Sequence, residues 1–368
     1  MSKDIVWVDF STLENFMVDT FKGIGVPEED AKICAEVLIA ADKRGIDSHG
    51  IGRLKPIYYD RIKKGIQSPV TNFEIIKEGP TTAVVDGHNG MGHVVAKKSM
   101  ELAIKKAKEY GLGMVVARNS THFGIAGYYP LMAIKEGMIG ITGTNARPSI
   151  APTFGVENML GTNPMTFGIP SDEEFPFFLD CATSISQRGK IEVYDRAEKE
   201  IPAGWVIGKD GKTRTDTHQI LSDLKTGKAA LVPLGGIGDK TAGYKGYGYA
   251  TVVEILSSAL SNANFMKMLS GVKDGKPCPI LLGHFFIAIN ISAFIDPEIF
   301  KKITGNILRD LRNSQKAPGE ERIYTAGEKE YLIWLERKDK GAPINKNLQK
   351  QMLQIKEELG LDQYKFPF

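Results

Sequence analysis

The first part of the chain places its apolar residues at the spacing of amphipathic helices. Over residues 13–21 an apolar residue recurs every few positions. Ser11 followed by Glu14 predicts a capping box at the start of this helix. A second helix is predicted after Pro27, with acidic residues in its first turn and Gly45 directly after its end. The pattern therefore predicts a helical N-terminal region.

From about residue 74 short apolar runs alternate with longer amphipathic stretches. The predicted strands are TTAVVDG, LGMVVARNS, IGITGTN, FPFFLDCAT and part of the apolar segment 278–294. The predicted helices between them are HVVAKKSMELAIKKAKEYG, GYYPLMAIKEGM and GYATVVEILSSALSNANF. Segments 143–171 and 186–243 are rich in turn residues and show no clear period. This alternation predicts an α/β fold.

Helices return near the C-terminus. Asp296 followed by Pro297 predicts a capped helix start, because proline is well tolerated at the first helical position. The stretch NKNLQKQMLQIKEELGL predicts one more amphipathic helix.

Composition and charge narrow the classes of partner. The 368 residues are 42% hydrophobic, and 47 basic residues nearly balance 44 acidic ones. The resulting net charge of +3 gives no support for binding to nucleic acid or to an anionic membrane surface. Small anionic ligands need only a few local positive groups and are compatible with this balance.

Three widely spaced cysteines indicate a reducing compartment. Cys34, Cys181 and Cys278 give neither a disulfide framework nor a metal-binding spacing. The first residues have no apolar run behind a basic segment, so no secretory signal is expected. Segment 278–294 is shorter than the ~18 uncharged residues of a membrane span and is predicted to be a buried strand. The expected location is the cytoplasm.

A glycine-rich turn between a predicted strand and helix resembles a dinucleotide fingerprint only in part. Gly90 and Gly92 supply its first two glycines, but Val95 stands where the third is needed. The expected acidic residue also falls before the second strand. His88 and His93 flank this turn at a spacing that fits no zinc site, so no metal is predicted.

The stretch ADKRGIDSHGIGR (41–53) contains the first candidate for proton transfer. If Ser48 caps a third helix, His49 and Arg53 lie one turn apart on the same face. An arginine can bind a carboxylate with two parallel hydrogen bonds, and an imidazole can exchange a proton with an adjacent hydroxyl. Taken alone, the motif favours an incidental histidine and a solvated Arg53 at a helix boundary.

Further candidates lie near predicted strand ends and glycine-rich turns. His122 follows a predicted strand, where ligands of α/β proteins often bind, although a plain turn histidine fits as well. Asp180 lies in an apolar strand, where a carboxylate needs a partner. The turns 158–164 and 243–248 can cradle a phosphate group with backbone amides, and Lys245 adds a positive charge.

In this order, these segments resemble the type-2 malate/L-lactate dehydrogenase family. That family includes ureidoglycolate and sulfolactate dehydrogenases, diketogulonate reductase and a cyclic imino-acid reductase. The matching stretches are DKRGIDSHGIGRLKPIY, VVDGHNGMGHVVA, RNSTHFGIAGYY, TNARPSIAPTFG, LGTNPMTFGIP, LDCATS, IPAGWVIGKDGKTRTD, GYKGYGYATVVEIL and APGEE. Each one is weak alone, but together they cover most of the chain in the family's order. Lys209 and Cys181 stand where many members carry another residue.

The resemblance implies a non-Rossmann α/β oxidoreductase fold with two domains. Residues 1–75 with about 295–368 are expected to form a helical substrate and dimerisation domain. Residues from about 76 to 294 are expected to form a mixed-sheet α/β cofactor domain. The family further implies a homodimer with NAD or NADP as cofactor, NAD being favoured, bound in a cleft between the domains.

The resemblance also implies roles for individual residues. His49 matches the proton donor and acceptor, Arg53 the group that binds the substrate carboxylate, and Ser48 lies in the same substrate-binding motif. His122 matches a histidine that some members use as the acid or base, or it binds the second substrate group. Asp180 is implied to orient the catalytic imidazole. Cofactor contacts are implied for Thr162, Asn163, Leu179, Asp180, Cys181, Ala182, Thr183, Ser184, Lys245, Pro318, Gly319 and Glu320.

The expected reaction is hydride transfer between the nicotinamide cofactor and a small 2-hydroxy acid, with malate to oxaloacetate as the first choice. Reduction of a cyclic imino acid or a keto sugar acid in the same pocket is one alternative. A non-catalytic ligand-binding protein on the same scaffold is the other.

Overall fold

A mixed β-sheet forms the centre of the chain in the computed structural model, which describes residues 5–368. The strands are β1 (Val6–Val8), β2 (Glu74–Glu78), β3 (Thr82–Asp86), β4 (Leu112–Ser120), β5 (Met138–Thr144), β6 (Met165–Ile169), β7 (Phe177–Cys181), β8 (Val206–Gly208), β9 (Ala229–Leu231), β10 (Val272–Lys273), β11 (Lys276–Pro277), β12 (Leu282–Asn290) and β13 (Ala342–Ile344). The α-helices are α1 (Phe10–Gly23), α2 (Glu28–Lys43), α3 (Asp60–Lys63), α4 (Gly92–Tyr110), α5 (Tyr128–Lys135), α6 (Arg188–Arg196), α7 (Thr217–Thr226), α8 (Gly243–Ser258), α9 (Pro297–Asn313), α10 (Glu328–Arg337) and α11 (Lys346–Leu359).

The sheet has the strand order β2-β3-β4-β12-β5-β6-β7. Within this sheet, as far as the chain is described, β3 and β4 are the one parallel pair, and the other neighbours are antiparallel. A doubly wound dinucleotide fold is mostly parallel. The predicted α/β class is therefore confirmed with a mixed central sheet. The predicted boundaries of the two domains remain a prediction.

Helices cover both faces of the central strands. Val115 and Phe286 pack in one buried cluster with residues of α4 and α5, whereas Val116 and Phe285 pack with Val253 of α8 on the opposite face. Strands that are buried on both faces carry apolar residues in succession. This explains why LGMVVARNS and 278–294 contain nearly continuous apolar runs.

The N-terminal helices build a second core, and α1 has a different cap from the one predicted. Leu13, Phe16 and Phe21 of α1 pack in this core with α2, α11 and the β1–β13 pair. The predicted capping box of Ser11 and Glu14 is wrong. Asp9 precedes the helix, and its carboxylate accepts a hydrogen bond from the Thr12 amide at 2.8 Å.

The predicted third helix from Ser48 is also wrong. The chain forms a turn at His49, a 3₁₀ turn over Ile51–Arg53 and a π-helical segment over Leu54–Tyr59 before α3 begins. Pro56 lies inside this segment, and it has no N–H for a regular α-helical hydrogen bond. His49 and Arg53 are therefore not related by one turn of an α-helix.

The cap of α9 agrees with the sequence prediction, whereas several short elements in the middle of the chain were not predicted. Asp296 caps α9 through hydrogen bonds from Glu298 and Ile299 at 2.9 and 3.1 Å, as predicted. The segments without a period contain β6, β8, β9, α6 and α7, and three-residue strands cannot display an alternation. Among the helices of residues 5–368, none has the length and apolar character that crossing a membrane requires.

Candidate active site

A cavity of about 180 Å³ lies between the turn after α2, the segment after β4 and the end of β7. It is lined in part by six residues that the sequence singled out: Ser48, His49, Thr162, Asp180, Cys181 and Ala182. These residues come from distant parts of the chain. The structure therefore brings predicted substrate and cofactor positions to one cavity.

His49 and Arg53 both contact Ser48. The Arg53 Nε donates a hydrogen bond to the Ser48 carbonyl, and the Ser48 hydroxyl lies 2.9 Å from the His49 Nδ1. Burial and the positive charge of Arg53 lower the pKa of His49 to about 4. The imidazole is therefore neutral at pH 7. In the tautomer whose Nδ1–H donates to the Ser48 hydroxyl, the Nε2 lone pair is free to accept a proton.

The turn that carries His49 is anchored from beneath by residues that the sequence analysis missed. The carboxyl group of buried Asp42 accepts a hydrogen bond from the Ile51 amide at 2.8 Å, and burial raises the pKa of Asp42 to about 8. A Cβ at Gly50 would lie only 1.9 Å from this carboxyl group, so the glycine of the SHG motif permits a close approach. Arg337 of α10 holds the other end of the turn through Asp47 at 2.5 and 2.9 Å.

His122 lies beside His49 and is held by a buried tyrosine. The two imidazole rings are 5.8 Å apart and nearly parallel, at 19°. The phenol oxygen of Tyr58 is 2.6 Å from the His122 Nδ1, and the Gly124 amide donates to the same nitrogen at 3.3 Å. Burial first, and then the nearby charges of His49 and other basic residues, hold the pKa of His122 well below its usual value.

Asp180 shares the cavity with His49 but makes a different contact from the one predicted. Its carboxylate accepts a hydrogen bond from the Gly127 amide at 2.9 Å. Burial raises the pKa of Asp180 to about 6, with Glu330 acting in the same direction and Arg44 opposing it. In the described part of the chain, no hydrogen bond joins Asp180 to either histidine. Its role in orienting His49 remains a prediction.

Three of the predicted cofactor residues, Thr162, Asn163 and Thr183, pack together next to α8. The Thr183 amide donates to the Thr162 carbonyl at 3.0 Å, and Thr183 in turn accepts from Leu234 at 2.8 Å. The amide of Asn163 reaches the Ala250 carbonyl in α8 at 3.0 Å. These contacts place 162–163 and 183 beside the helix whose first turn carries Lys245.

Several predicted cofactor residues have side chains that are already hydrogen-bonded within the protein or lie away from the cavity. The buried Asn163 side chain donates a hydrogen bond to Glu254 of α8 at 2.7 Å, and the Ser184 hydroxyl donates one to the Ser186 carbonyl at 2.8 Å. Leu179 lies within β7 and is partly exposed. Pro318, Gly319 and Glu320 are exposed on the loop between α9 and α10 and do not line the cavity.

Comparison with known proteins identifies the family of this chain. The family model for malate/L-lactate dehydrogenases matches residues 8–353. The chain belongs to the malate/L-lactate dehydrogenase family. The predicted family and the predicted enzyme class, a dehydrogenase, are thereby confirmed.

Individual relatives are similar over nearly the whole chain. The malate dehydrogenase of Pyrococcus horikoshii is 43% identical over 364 residues, which are 98% of each protein. The L-sulfolactate dehydrogenase of Methanocaldococcus jannaschii is 43% identical over 95% of this chain and 96% of its own length. The crystal structure of malate dehydrogenase from Entamoeba histolytica matches with a TM-score of 0.94 and 48% identity, covering 99% of this dehydrogenase and 100% of that chain.

Proposed function

We propose that this dehydrogenase interconverts malate and oxaloacetate by hydride transfer to and from a nicotinamide cofactor. The observation that supports this most is that neutral His49 lines one small cavity together with Asp180 and Ser48. Arg53 is bonded to Ser48, although neither Arg53 nor His122 lines the cavity itself. Similar proteins named malate dehydrogenases support the choice of malate.

The residues around the cavity fit a nicotinamide dinucleotide. The amides in the first turn of α8, with exposed Lys245, form a positive site for a phosphate group. Gly235 and Gly236 precede it at φ of +98° and +93°, where a side chain would be strained. Thr162 and Ala182 would hold the nicotinamide end. When bound, the cofactor accepts or returns the hydride, and we favour NAD over NADP because of the sequence resemblance.

The protein's own groups supply binding and proton transfer. The terminal nitrogens of Arg53 would hold the carboxylate next to the reacting carbon, since its Nε is already occupied by Ser48. His49 would take the hydroxyl proton as the hydride leaves the same carbon. Asp180 would favour the imidazolium that forms on His49, as a buried aspartate does behind other catalytic histidines.

A cluster of three arginines favours an acid with two negative groups. Arg53, Arg61 and Arg147 have no carboxylate partner within residues 5–368. Burial lowers the pKa of Arg61, and Arg147 and Arg53 lower it further, whereas Tyr58 opposes this. Arg53 and Arg61 are half-buried, where a positive charge without a counter-charge is unfavourable, and exposed Arg147 adds to the local positive charge. The second carboxylate of malate would compensate this excess positive charge, and the methyl group of lactate would not.

Arg61→Gln tests this choice of substrate. We expect kcat/KM for oxaloacetate to fall about tenfold or more, since a hydrogen bond to a charged group contributes roughly 1.5–3 kcal/mol. The rate with pyruvate, which lacks the second carboxylate, should stay nearly unchanged. Arg188→Gln, at an exposed position on α6, is the control and should affect neither substrate. An equal loss of kcat/KM with both substrates, or a rise only in KM for the cofactor, would show that Arg61 does not bind the second carboxylate.

Asp180→Asn tests the role of the buried carboxylate. With a pKa of about 6, Asp180 is ionised at neutral pH and becomes protonated below that value. We expect wild-type malate oxidation to exceed that of the variant several-fold at high pH, and the difference to shrink as the pH falls below about 6. His49, with a pKa of about 4, remains neutral over this range. A ratio that does not change with pH would contradict a role for the ionised carboxylate.

The proposed reaction itself is tested by the absorbance of reduced nicotinamide when oxaloacetate is added. A loss of absorbance with NADH, faster than with NADPH, is expected. A panel that includes a cyclic imino acid and a keto sugar acid tests the alternative substrates. No reaction with any 2-oxo acid would contradict the proposal.

We further propose that the protein is a homodimer in the cytoplasm. One face of α9 presents a regular apolar stripe to solvent, and Ile299, Ile303, Ile307 and Leu311 are each about half exposed. Such a patch is typical of an interaction surface. Sedimentation at micromolar concentration should give the mass of two chains.

The proposed location in the cytoplasm is supported by the cysteines. Cys34, Cys181 and Cys278 are all free thiols, which fits a reducing compartment.

A further inference from the structure

The contacts of His122 determine which of its nitrogens carries the proton. The Gly124 amide lies 3.3 Å from Nδ1, and a backbone N–H can only donate. The phenol oxygen of Tyr58 lies 2.6 Å from the same nitrogen. A proton on Nδ1 would lie against the amide proton, and the Gly124 amide would lose its bond to this nitrogen. Nδ1 is therefore the acceptor of both groups, and the single proton of the neutral ring lies on Nε2.

Within residues 5–368, no group occupies the protonated nitrogen. In the part of the chain that the structure describes, the His122 Nε2 has no hydrogen bond partner, and it is not among the polar atoms sealed from solvent. Both ring nitrogens of His93, by contrast, are buried and have no hydrogen-bond partner within the described residues. His122 thus presents an N–H donor to the space beside His49, and it has no free lone pair there.

We propose that Tyr58 fixes His122 as its Nε2–H tautomer, so that His122 donates a hydrogen bond to the reacting oxygen while His49 accepts the proton. This inference rests on the proposed function for the identity of the substrate. In malate oxidation the O–H proton passes to the His49 Nε2, the hydride leaves carbon for the oxidised nicotinamide, and the C=O bond forms. The His122 N–H stabilises the oxygen as negative charge develops on it.

The surroundings of Tyr58 are consistent with a positioning residue. Its side chain is fully buried, and its ring lies 4.6 Å from His93 and 5.9 Å from Phe21. Burial holds the pKa of this phenol well above its usual value, so it remains a donor at any working pH. The aromatic contacts leave the hydroxyl little freedom to turn away from His122.

Tyr58→Phe tests the inference, and Tyr59→Phe is a matched control. Tyr59 is the adjacent buried tyrosine, but its hydroxyl donates to Glu358 of α11, away from the histidines. For Tyr58→Phe we expect kcat to fall about tenfold, the cost of one buried hydrogen bond, with KM for malate nearly unchanged. Tyr59→Phe should keep the wild-type kcat. Thermal unfolding of both variants shows whether either substitution lowers the stability of the whole protein.

The tautomer itself is read by nitrogen NMR of protein labelled with ¹⁵N-histidine, without substrate. The His122 signals, assigned by their loss in His122→Gln, should show an unprotonated Nδ1 and a protonated Nε2 in the wild type. In Tyr58→Phe only the long contact of 3.3 Å from the Gly124 amide still favours an unprotonated Nδ1, so the signals should show a mixture of both tautomers. A protonated Nδ1 in the wild type, or wild-type spectra and kcat in Tyr58→Phe, would overturn the inference. Failure to turn over malate, with the expected spectra, would refute only the proposed substrate.

Discussion

Replacing His49 with alanine should lower kcat for malate oxidation by ~10²–10⁴-fold, the typical contribution of a positioned acid or base. The imidazole is neutral because burial and Arg53 lower its pKa to about 4, and it lines the cavity beside Asp180. Affinity for the cofactor should change little, because Lys245 and the start of α8 lie apart from the turn that carries His49. Stopped-flow measurement of the single-turnover rate, together with a cofactor titration, separates the two effects.

A comparison with His122→Ala tests whether the base is His49 and not His122. His122→Ala should reduce turnover less than His49→Ala, because it removes a hydrogen bond donor and leaves the base in place. If His49→Ala keeps near-full turnover while His122→Ala abolishes it, the assignment of the base is wrong. Circular dichroism and thermal unfolding of both variants serve as the control for folding.

Replacing Arg53 with alanine should raise KM for malate and lower kcat/KM on the order of 100-fold. Two losses combine: the charge-assisted contact to the carboxylate, and the orientation that it imposes on the reacting carbon. Arg53→Lys should recover little, since an ammonium group cannot form the paired contact or replace the Nε bond to Ser48. Steady-state kinetics of both variants against the wild type would check this. An unchanged KM in Arg53→Ala would contradict carboxylate binding by this residue.

The sequence predicted the strongly periodic elements and the stretch that holds His49 and Arg53. The alternating runs of β3, α4, β4, α5 and β5 are long enough for periodicity to show. Charge and capping signals around α2 and α9 likewise correspond to their observed ends. Asp9 was missed as a cap because Ser11 and Glu14 form a plausible capping box two residues later.

The supports of the candidate site could not be predicted, because they depend on contacts between distant parts of the chain. Tyr58 follows the apolar spacing of a helix and is indistinguishable in sequence from a core residue, yet its hydroxyl reaches His122. Asp47 is held by Arg337, which is 290 residues away. Gly50, Gly52 and Pro56 are local signals against an α-helix after Ser48, and the chain there forms a 3₁₀ turn and a π-helical segment instead.

The central claim is that His49 and Arg53 act on one small acid beside the nicotinamide ring. A crystal structure of the complex with oxidised cofactor and oxalate, an unreactive analogue of a 2-oxo acid, tests it most directly. We predict one oxalate carboxylate on the terminal nitrogens of Arg53 and an oxygen of the other within hydrogen-bond distance of the His49 Nε2, which takes up a proton when this anion binds. Oxalate bound away from both side chains, or a nicotinamide ring in a different cavity, would contradict it.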